Sequence, residues 1–569
     1  AIYYSDVVNQ FVQRDLATRL TFIAEDIHFR FADGDNGIKG VNIAEEGGKL
    51  FGIMGSSGSG KTTLLNILNG TEAPTGGRVR INGIDLHKEK EKARGIIGYV
   101  PQDDFLIEEL SVYENLIYAA RLCFGNDDPD RLENLVKRIL RNLGLMEIRN
   151  LRVGSPMDKT ISGGQRKRLN IGLELLREPT VLFVDEPTSG LSSRDSENIM
   201  DLLKELSLRG KMVFVVIHQP SSDIYKMFDR LLIMDVGGYP IYYGNPIEAV
   251  IHFKETVNMV QSDQGACNEC GNINPEQVFN IIETKVVNEF GRFTDQRKVL
   301  PQQWNEIYVN KFRKVKLTPS TDPLTKMHQV ASWPEQFKVF FARDLFSKLK
   351  NVQYMFINLW EAPLLAIFLA SLVRYSADNQ AYSYFSNHNI PIFLFVSVVV
   401  ALFMGLTVSA KEIIKDRLIL KREKFLHLSR SSYLIAKISI LFAISAVQTG
   451  LFVLFACWIL EIQGQWLSFW LVLFSVSCAA GMIGLNVSSA FKDTITVYIL
   501  IPIILIPQLI LSGVVVNFDR FNPQFANRER VPVIGDHMVS RWSFEALMVD
   551  FFKNNAYEKH FYELDKAES

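Results

Sequence analysis

The sequence predicts an α/β domain built on a parallel sheet, followed by an all-α domain of membrane-spanning helices. Three observations carry that prediction. At 569 residues the chain is too long for one domain. Charged residues crowd the N-terminal half and long apolar runs crowd the region after residue 350. That segregation is how a chain with 22% charged residues reaches a mean hydropathy of +0.08. In the N-terminal half, short apolar runs of strand type repeatedly end in a polar or glycine-rich turn. The net charge of −1 gives no footing for a nucleic-acid partner.

The first such run, residues 49–54 (KLFGIM), reads as a buried strand and opens into GSSGSGKT, which fits G-x-x-x-x-G-K-[ST]. Glycines at 55, 58 and 60 let the backbone N–H groups turn inward as an anion-binding nest, with Ser56 and Ser59 between them. Lys61 is placed to reach β- and γ-phosphates, Thr62 to offer a hydroxyl to Mg²⁺, and Thr63 to follow it at the start of a helix. This is the signature of a P-loop NTPase. Residues 181–184 form an apolar run of the kind buried on both faces of a parallel sheet, ending in Asp185 and Glu186. Asp185 is expected to hold Mg²⁺ through water and Glu186 to polarise the attacking water. Another strand, 212–217, delivers His218 to the γ-phosphate. Gln102 follows a strand over 96–100 and sits where a glutamine that senses water and Mg²⁺ is useful.

Five segments are apolar enough to span a bilayer: 354–373, 390–410, 433–460, 466–490 and 494–516. The segment 411–437 carries eight Lys/Arg against three acids, while the loops 374–389 and 461–465 carry one and none. The basic segment is therefore expected on the cytoplasmic side, with the nucleotide-binding half. Residues 332–351 alternate Phe337, Phe340, Phe341, Leu345 and Leu349 with Lys338, Arg343, Asp344 and Lys348, an amphipathic helix. Glu361 lies a third of the way along the first span, where an ionised carboxylate is costly; a proton- or substrate-linked group and an interfacial carboxylate are both open. Gln448, Asn486 and Gln508 read as interhelical hydrogen bonds.

The order of motifs resembles the ATP-binding cassette (ABC) transporters, over roughly residues 20–283 for the nucleotide-binding domain. ISGGQ, residues 161–165, is similar to that family's LSGGQ signature. The resemblance implies that Ser162, Gly163, Gly164 and Gln165 bind the ATP held by the opposite subunit's Lys61 loop. It implies that Phe31 stacks on adenine, with Phe29 the alternative. After Ser189, Gly190 and Leu191 the family has Asp and this chain has Ser192, which puts coupling between the two ATP sites in question. With the ATPase first and the membrane domain second, the chain resembles the G-subfamily half-transporters of the sterol and drug type. Lys421, Arg422, Glu423 and Lys424 are similar to the family's coupling segment. Val514 and Val515 lie where the family has two leucines closing its cavity.

The expected organisation is a tail of an upstream region over 1–19, a nucleotide-binding domain over 20–285 and a linker over 286–331. A connecting helix over 332–353, a transmembrane domain over 354–516 and an external region over 517–569 follow. A sixth span is expected beyond the last residue. The implied protein is an ATP-driven exporter in the membrane, with ATP and Mg²⁺ as cofactors and its nucleotide-binding domain cytoplasmic. The implied partners are a second half-transporter, membrane lipid and a hydrophobic or amphipathic substrate. The alternative is an ATPase doing mechanical work on external partners. Cys267 and Cys270 form C-x-x-C, for which a reduced thiol pair is the expected state and a zinc site shared across a dimer the alternative.

Overall fold

The structure, a computed structural model, describes residues 2–5, 10–13, 19–31, 34, 37–90, 92–93, 95–125, 127–155, 158, 160–259, 265, 273–287, 290, 292–311, 317–318, 320, 322, 331–376, 382, 387–423, 428–522, 532–554, 563–564 and 566. Cys267, Cys270 and Lys424 lie outside the described residues. The chain divides into two compact units, Ala1–Ala331 with Arg422–Leu428, and Ser332–Lys421 with Ser429–Ser569.

The first unit is organised by a six-stranded sheet. Its spatial order is Tyr239–Gly244, Arg230–Asp235, Leu50–Gly55, Met212–Val216, Val181–Asp185, Ile97–Val100. The edge strand Tyr239–Gly244 is antiparallel and the other pairings are parallel. Sequence alternation explains how both faces are covered. Leu182, Val184, Val213 and Val215 face one core, while Val181, Phe183, Met212, Phe214 and Val216 face another. Phe183 stacks on Phe214 at 4.9 Å between ring centroids, and Phe22 packs on Phe214 at 4.7 Å. Phe22 comes from a second, antiparallel sheet in the order Gly37–Glu46, Thr21–Arg30, Gly76–Ile81, Ile84–Asp85. The site is thus set on the carboxyl ends of the parallel strands, where an open α/β sheet carries its ligands.

The second unit is helical. Four described helices are long and apolar enough to cross a membrane: Val352–Val373, the run Ile390–Glu423, Arg430–Leu460 and Trp466–Ala490. A fifth apolar helix, Thr494–Ile510, has 17 residues. It stops short of the expected end at 516. Pro502 and Pro507 each remove a backbone donor, and the chain then turns through Gly513 at φ 80°. Val514 and Val515 therefore lie beyond the helix. The second and fourth spans approach closely, since a Cβ on Gly405 would lie 2.3 Å from the Ser477 carbonyl oxygen. The helix Trp333–Lys350 buries Phe340 and Arg343 and exposes Trp333, Phe346 and Leu349.

Candidate active site

The strand Leu50–Gly55 ends in the loop that precedes the helix Lys61–Leu68. Gly60 caps that helix at φ 85° and ψ 17°, a left-handed conformation that only glycine adopts at low cost. The buried Lys61 ammonium donates to the carbonyl oxygens of Gly55 and Ser56, each at 2.9 Å. Burial pulls its pKa down, and the nearby Glu186 and Asp185 charges oppose that. The hydroxyls of Ser56 and Ser59 and one oxygen of Asp185 are buried with no hydrogen-bond partner among the described residues. Orphaned polar atoms around a glycine loop at a helix N-terminus are what a bound triphosphate and a cation would satisfy, so the residues fit both groups.

Asp185 closes the strand Val181–Asp185 and pairs in register with Val216 of the neighbouring strand. Thr62 hydrogen-bonds its carboxylate. Burial, with the Glu186 charge next in weight, pushes the Asp185 pKa up to about 6. Glu186 follows at φ 43°, a left-handed backbone costing about 1–2 kcal/mol for a residue with a Cβ. The Glu186 backbone N–H donates to the Val216 carbonyl oxygen at 3.0 Å, which holds that conformation. Gln102 Nε2 donates to Glu186 Oε2 at 2.8 Å. His218 is exposed two residues beyond Val216, at the same end of the sheet. Lys61, Thr62, Asp185, Glu186 and Gln102, from three separate segments of the chain, therefore form one cluster, with His218 on the same rim.

The signature residues stand apart from it. Ser162 caps the helix Gly163–Leu175 and closes a reciprocal box with Gln165. The Ser162 backbone donates to Gln165 Oε1 at 2.9 Å, and Gln165 donates back to Ser162 Oγ at 3.2 Å. A Cβ added at Gly163 would meet Leu191, and one at Gly164 would meet Asp195. Ser162 is exposed, so its helix N-terminus is open to an anion from outside the unit. Phe31 is 49% exposed and stands edge-on to Phe29 at 5.1 Å. Phe29 packs against the core, which leaves Phe31 as the free aromatic face. Ser192 caps the helix Ser193–Leu208, and its hydroxyl donates to Asp195 Oδ2 at 2.9 Å.

Sequence reasoning passed over Asp104, Arg166, Lys167 and Asn170, which join the loop after Gln102 to the signature helix. The signal was present as an acid pair directly after Gln102 and a basic triplet directly after Gln165.

Comparison with known proteins decides the family. Residues 38–189 match the ABC transporter model, and residues 335–549 match the ABC-2 type transporter model. The chain carries an ABC transporter ATPase domain followed by an ABC-2 type membrane domain. It is homologous to G-family ABC transporters. ABC transporter G family member 28 of Arabidopsis thaliana is 36% identical over 45% of this chain and 22% of its own length. G family member 14 of the same plant is 40% identical over 38% of this chain and 33% of its own length. ABC-type transporter claG of Penicillium crustosum is 40% identical over 37% of this chain and 28% of its own length. The matches thus span no more than a third of these relatives. A solved ABC transporter component, cbiO1 from Clostridium perfringens, covers 42% of this chain and 92% of its own at 29% identity, with a TM-score of 0.36. An ABC ATPase domain binds ATP, and the ABC-2 type domain makes the chain an integral membrane protein whose ATPase domain is cytoplasmic.

Within the ABC-2 type domain the polar groups are concentrated. Lys437, near the start of the helix Arg430–Leu460, donates to Asp344 at 2.6 Å and to Glu412 at 3.0 Å, and pairs with Asp416 at 2.9 Å. Lys348 bridges to Glu412, and Tyr433 donates to Asp416 at 2.9 Å. The amphipathic helix is thereby locked to two others by buried charge. Gln448 donates to the Asn358 carbonyl oxygen at 3.0 Å, and Gln508 Oε1 accepts from the Ser540 backbone at 3.1 Å. Asn486 departs from the expected interhelical role, donating to Met482 of its own helix at 2.9 Å. Glu361 is half-buried on the first span.

Proposed function

We propose that the chain is one half of an ATP-driven exporter, working as a homodimer or as a heterodimer with a close relative. The observation that carries this reading is the separation of two half-sites within one ATPase unit. Lys61, Thr62, Asp185, Glu186 and Gln102 cluster together, while Ser162 heads an exposed helix N-terminus whose neighbours are Leu191 and Asp195. A complete site then needs the Ser162 face of a second copy.

ATP would supply the anhydride bond to be broken, and Thr62 and Asp185 would hold Mg²⁺, which would offset phosphate charge. The loop of Gly55, Ser56, Gly58, Ser59 and Gly60 cradles the phosphates with N–H groups, and Lys61 and Thr63 anchor them. Glu186 orients the attacking water and accepts its proton. Gln102 holds the Glu186 carboxylate, and His218 approaches the γ-phosphate from the next strand. Phe31 stacks on the adenine, and Ser162, Gly163, Gly164 and Gln165 close over the partner's nucleotide. Closure moves the coupling segment around Arg422, and the membrane cavity alternates between inward- and outward-facing states. The substrate is lipid-like or amphipathic, in keeping with the apolar composition of the membrane-domain helices.

Glu186→Gln is expected to abolish hydrolysis while preserving ATP-dependent dimer closure, measured by phosphate release and by cross-linking in nanodiscs. A near-normal hydrolysis rate in that variant overturns the assignment of Glu186. Flux of labelled lipids from proteoliposomes tests export, and ATPase stimulation with no flux favours mechanical work.

A further inference from the structure

We propose that Asp104 is a positioning residue that ties the loop bearing Gln102 to the signature helix Gly163–Leu175 of the same chain, so that one ATP site's glutamine and the other site's signature move as one body. The inference rests on the dimer reading above and adds to it the link within each copy.

The geometry is a two-sided clamp. Asp104 Oδ2 accepts from Arg166 Nε at 2.9 Å and Oδ1 accepts from Asn170 Nδ2 at 2.7 Å. Arg166 and Asn170 are four residues apart, on one face of the helix. Asn170 Oδ1 in turn accepts the Phe105 backbone N–H at 3.3 Å. Between them on the helix, Lys167 donates to the Gln102 carbonyl oxygen. The far end of Arg166 is fixed as well, with Nη1 donating to the Gly154 carbonyl oxygen at 2.6 Å. Arg166, Lys167 and Asn170 are all buried, which such residues tolerate only when their donors and charges are met. Gln102, Asp104 and Phe105 are therefore held by three side chains of one helix.

Two further facts give the clamp a purpose. The Gln102 side chain is bonded to Glu186, so displacing the loop displaces the group that orients the catalytic carboxylate. Phe105 also offers its carbonyl oxygen to Arg422 Nη1 at 2.5 Å, within the same unit. The route most readily expected between the two sites, an acid at 192, is absent. Ser192 spends its hydroxyl locally on Asp195. The Asp104 clamp provides a contiguous hydrogen-bonded connection in its place.

The test uses the full chain in nanodiscs in the Glu186→Gln background, with Asp104→Asn and Arg166→Lys added separately. Two readouts are taken: amide hydrogen exchange over residues 101–106 without nucleotide, and the steepness of binding of a fluorescent ATP analogue. Asp104→Asn keeps the shape and loses the charge; Arg166→Lys keeps the charge and cannot bond Asp104 and Gly154 together. Both are expected to raise exchange over 102–105 on the order of tenfold and to flatten the binding curve toward independent sites. Unchanged exchange and unchanged steepness in both variants overturn the clamp. A parent that binds without cooperativity, while exchange still rises in the variants, instead counts against the dimer reading and leaves the clamp standing.

Discussion

Replacing Lys437 by Met tests whether the buried charges of the ABC-2 type domain hold its helices together. Lys437 is 5% exposed at its side chain and faces Asp344, Glu412 and Asp416, all within 3.0 Å. Met has a similar length and apolar volume, so the packing term is small and the charge term dominates. With Lys437 gone, Lys348 still faces Asp344 and Glu412 and Tyr433 still donates to Asp416, but the three carboxylates lose the cation they share. Breaking one partner out of a buried pair costs about 3–5 kcal/mol. In a domain of this size, 1 kcal/mol moves the melting temperature by about 2–4 °C, so a fall of roughly 6–20 °C is expected. The assay is thermal unfolding of the purified protein in nanodiscs, followed by tryptophan fluorescence, at low and high salt. The loss should persist in high salt, because these charges are shielded from solvent ions. Adding Asp344→Asn and Asp416→Asn to Lys437→Met should recover much of it, since the repelling acids are removed with their partner. A melting temperature within a degree or so of the parent would refute the reasoning, showing that water reaches the cluster and screens it.

If Asp185 holds Mg²⁺ as proposed, its carboxyl is expected to make that binding pH-dependent. Its folded-state pKa of about 6 lies above its ordinary 3.8, so folding favours the protonated form and, without metal, its contribution to stability is present at low pH and lost as pH rises through about 6. Mg²⁺ needs the carboxylate, so its half-saturation concentration should climb about tenfold per unit below that pH, read by titration calorimetry with an ATP analogue. Asp185→Asn should flatten both profiles. Phe31→Ala should weaken nucleotide binding on the order of tenfold, the scale of a base–aromatic stack, and lower the melting temperature less than Phe29→Ala does, because the ring is half-exposed. Phe29→Ala should do the reverse, lowering stability while sparing affinity, since Phe29 packs on the core.

The ATPase half was legible because its chemistry is local in sequence. A phosphate loop needs glycines, Lys61 and Thr62 within eight positions. A buried parallel strand must be a continuous apolar run before it delivers Asp185 and Glu186 to the sheet's rim. The spans were legible for a similar reason, since a bilayer demands an unbroken apolar length. The fifth span was overextended because composition does not register where Pro507 and Gly513 end a helix. Tertiary structure alone decided the rest. It packed Phe29 against the core while leaving Phe31 half-exposed, and it turned Asn486 back onto its own helix. It brought Asp104 to Arg166 and Asn170, each more than sixty residues further along the chain. It also drew Asp344, Glu412 and Lys437 into one buried cluster that sequence shows only as scattered charge. Local motifs are written by the bonding needs of neighbouring residues, and so can be read along the chain. Buried charge pairs are set by which surfaces meet, and a charge standing alone in a sequence carries no mark of the partner it will find.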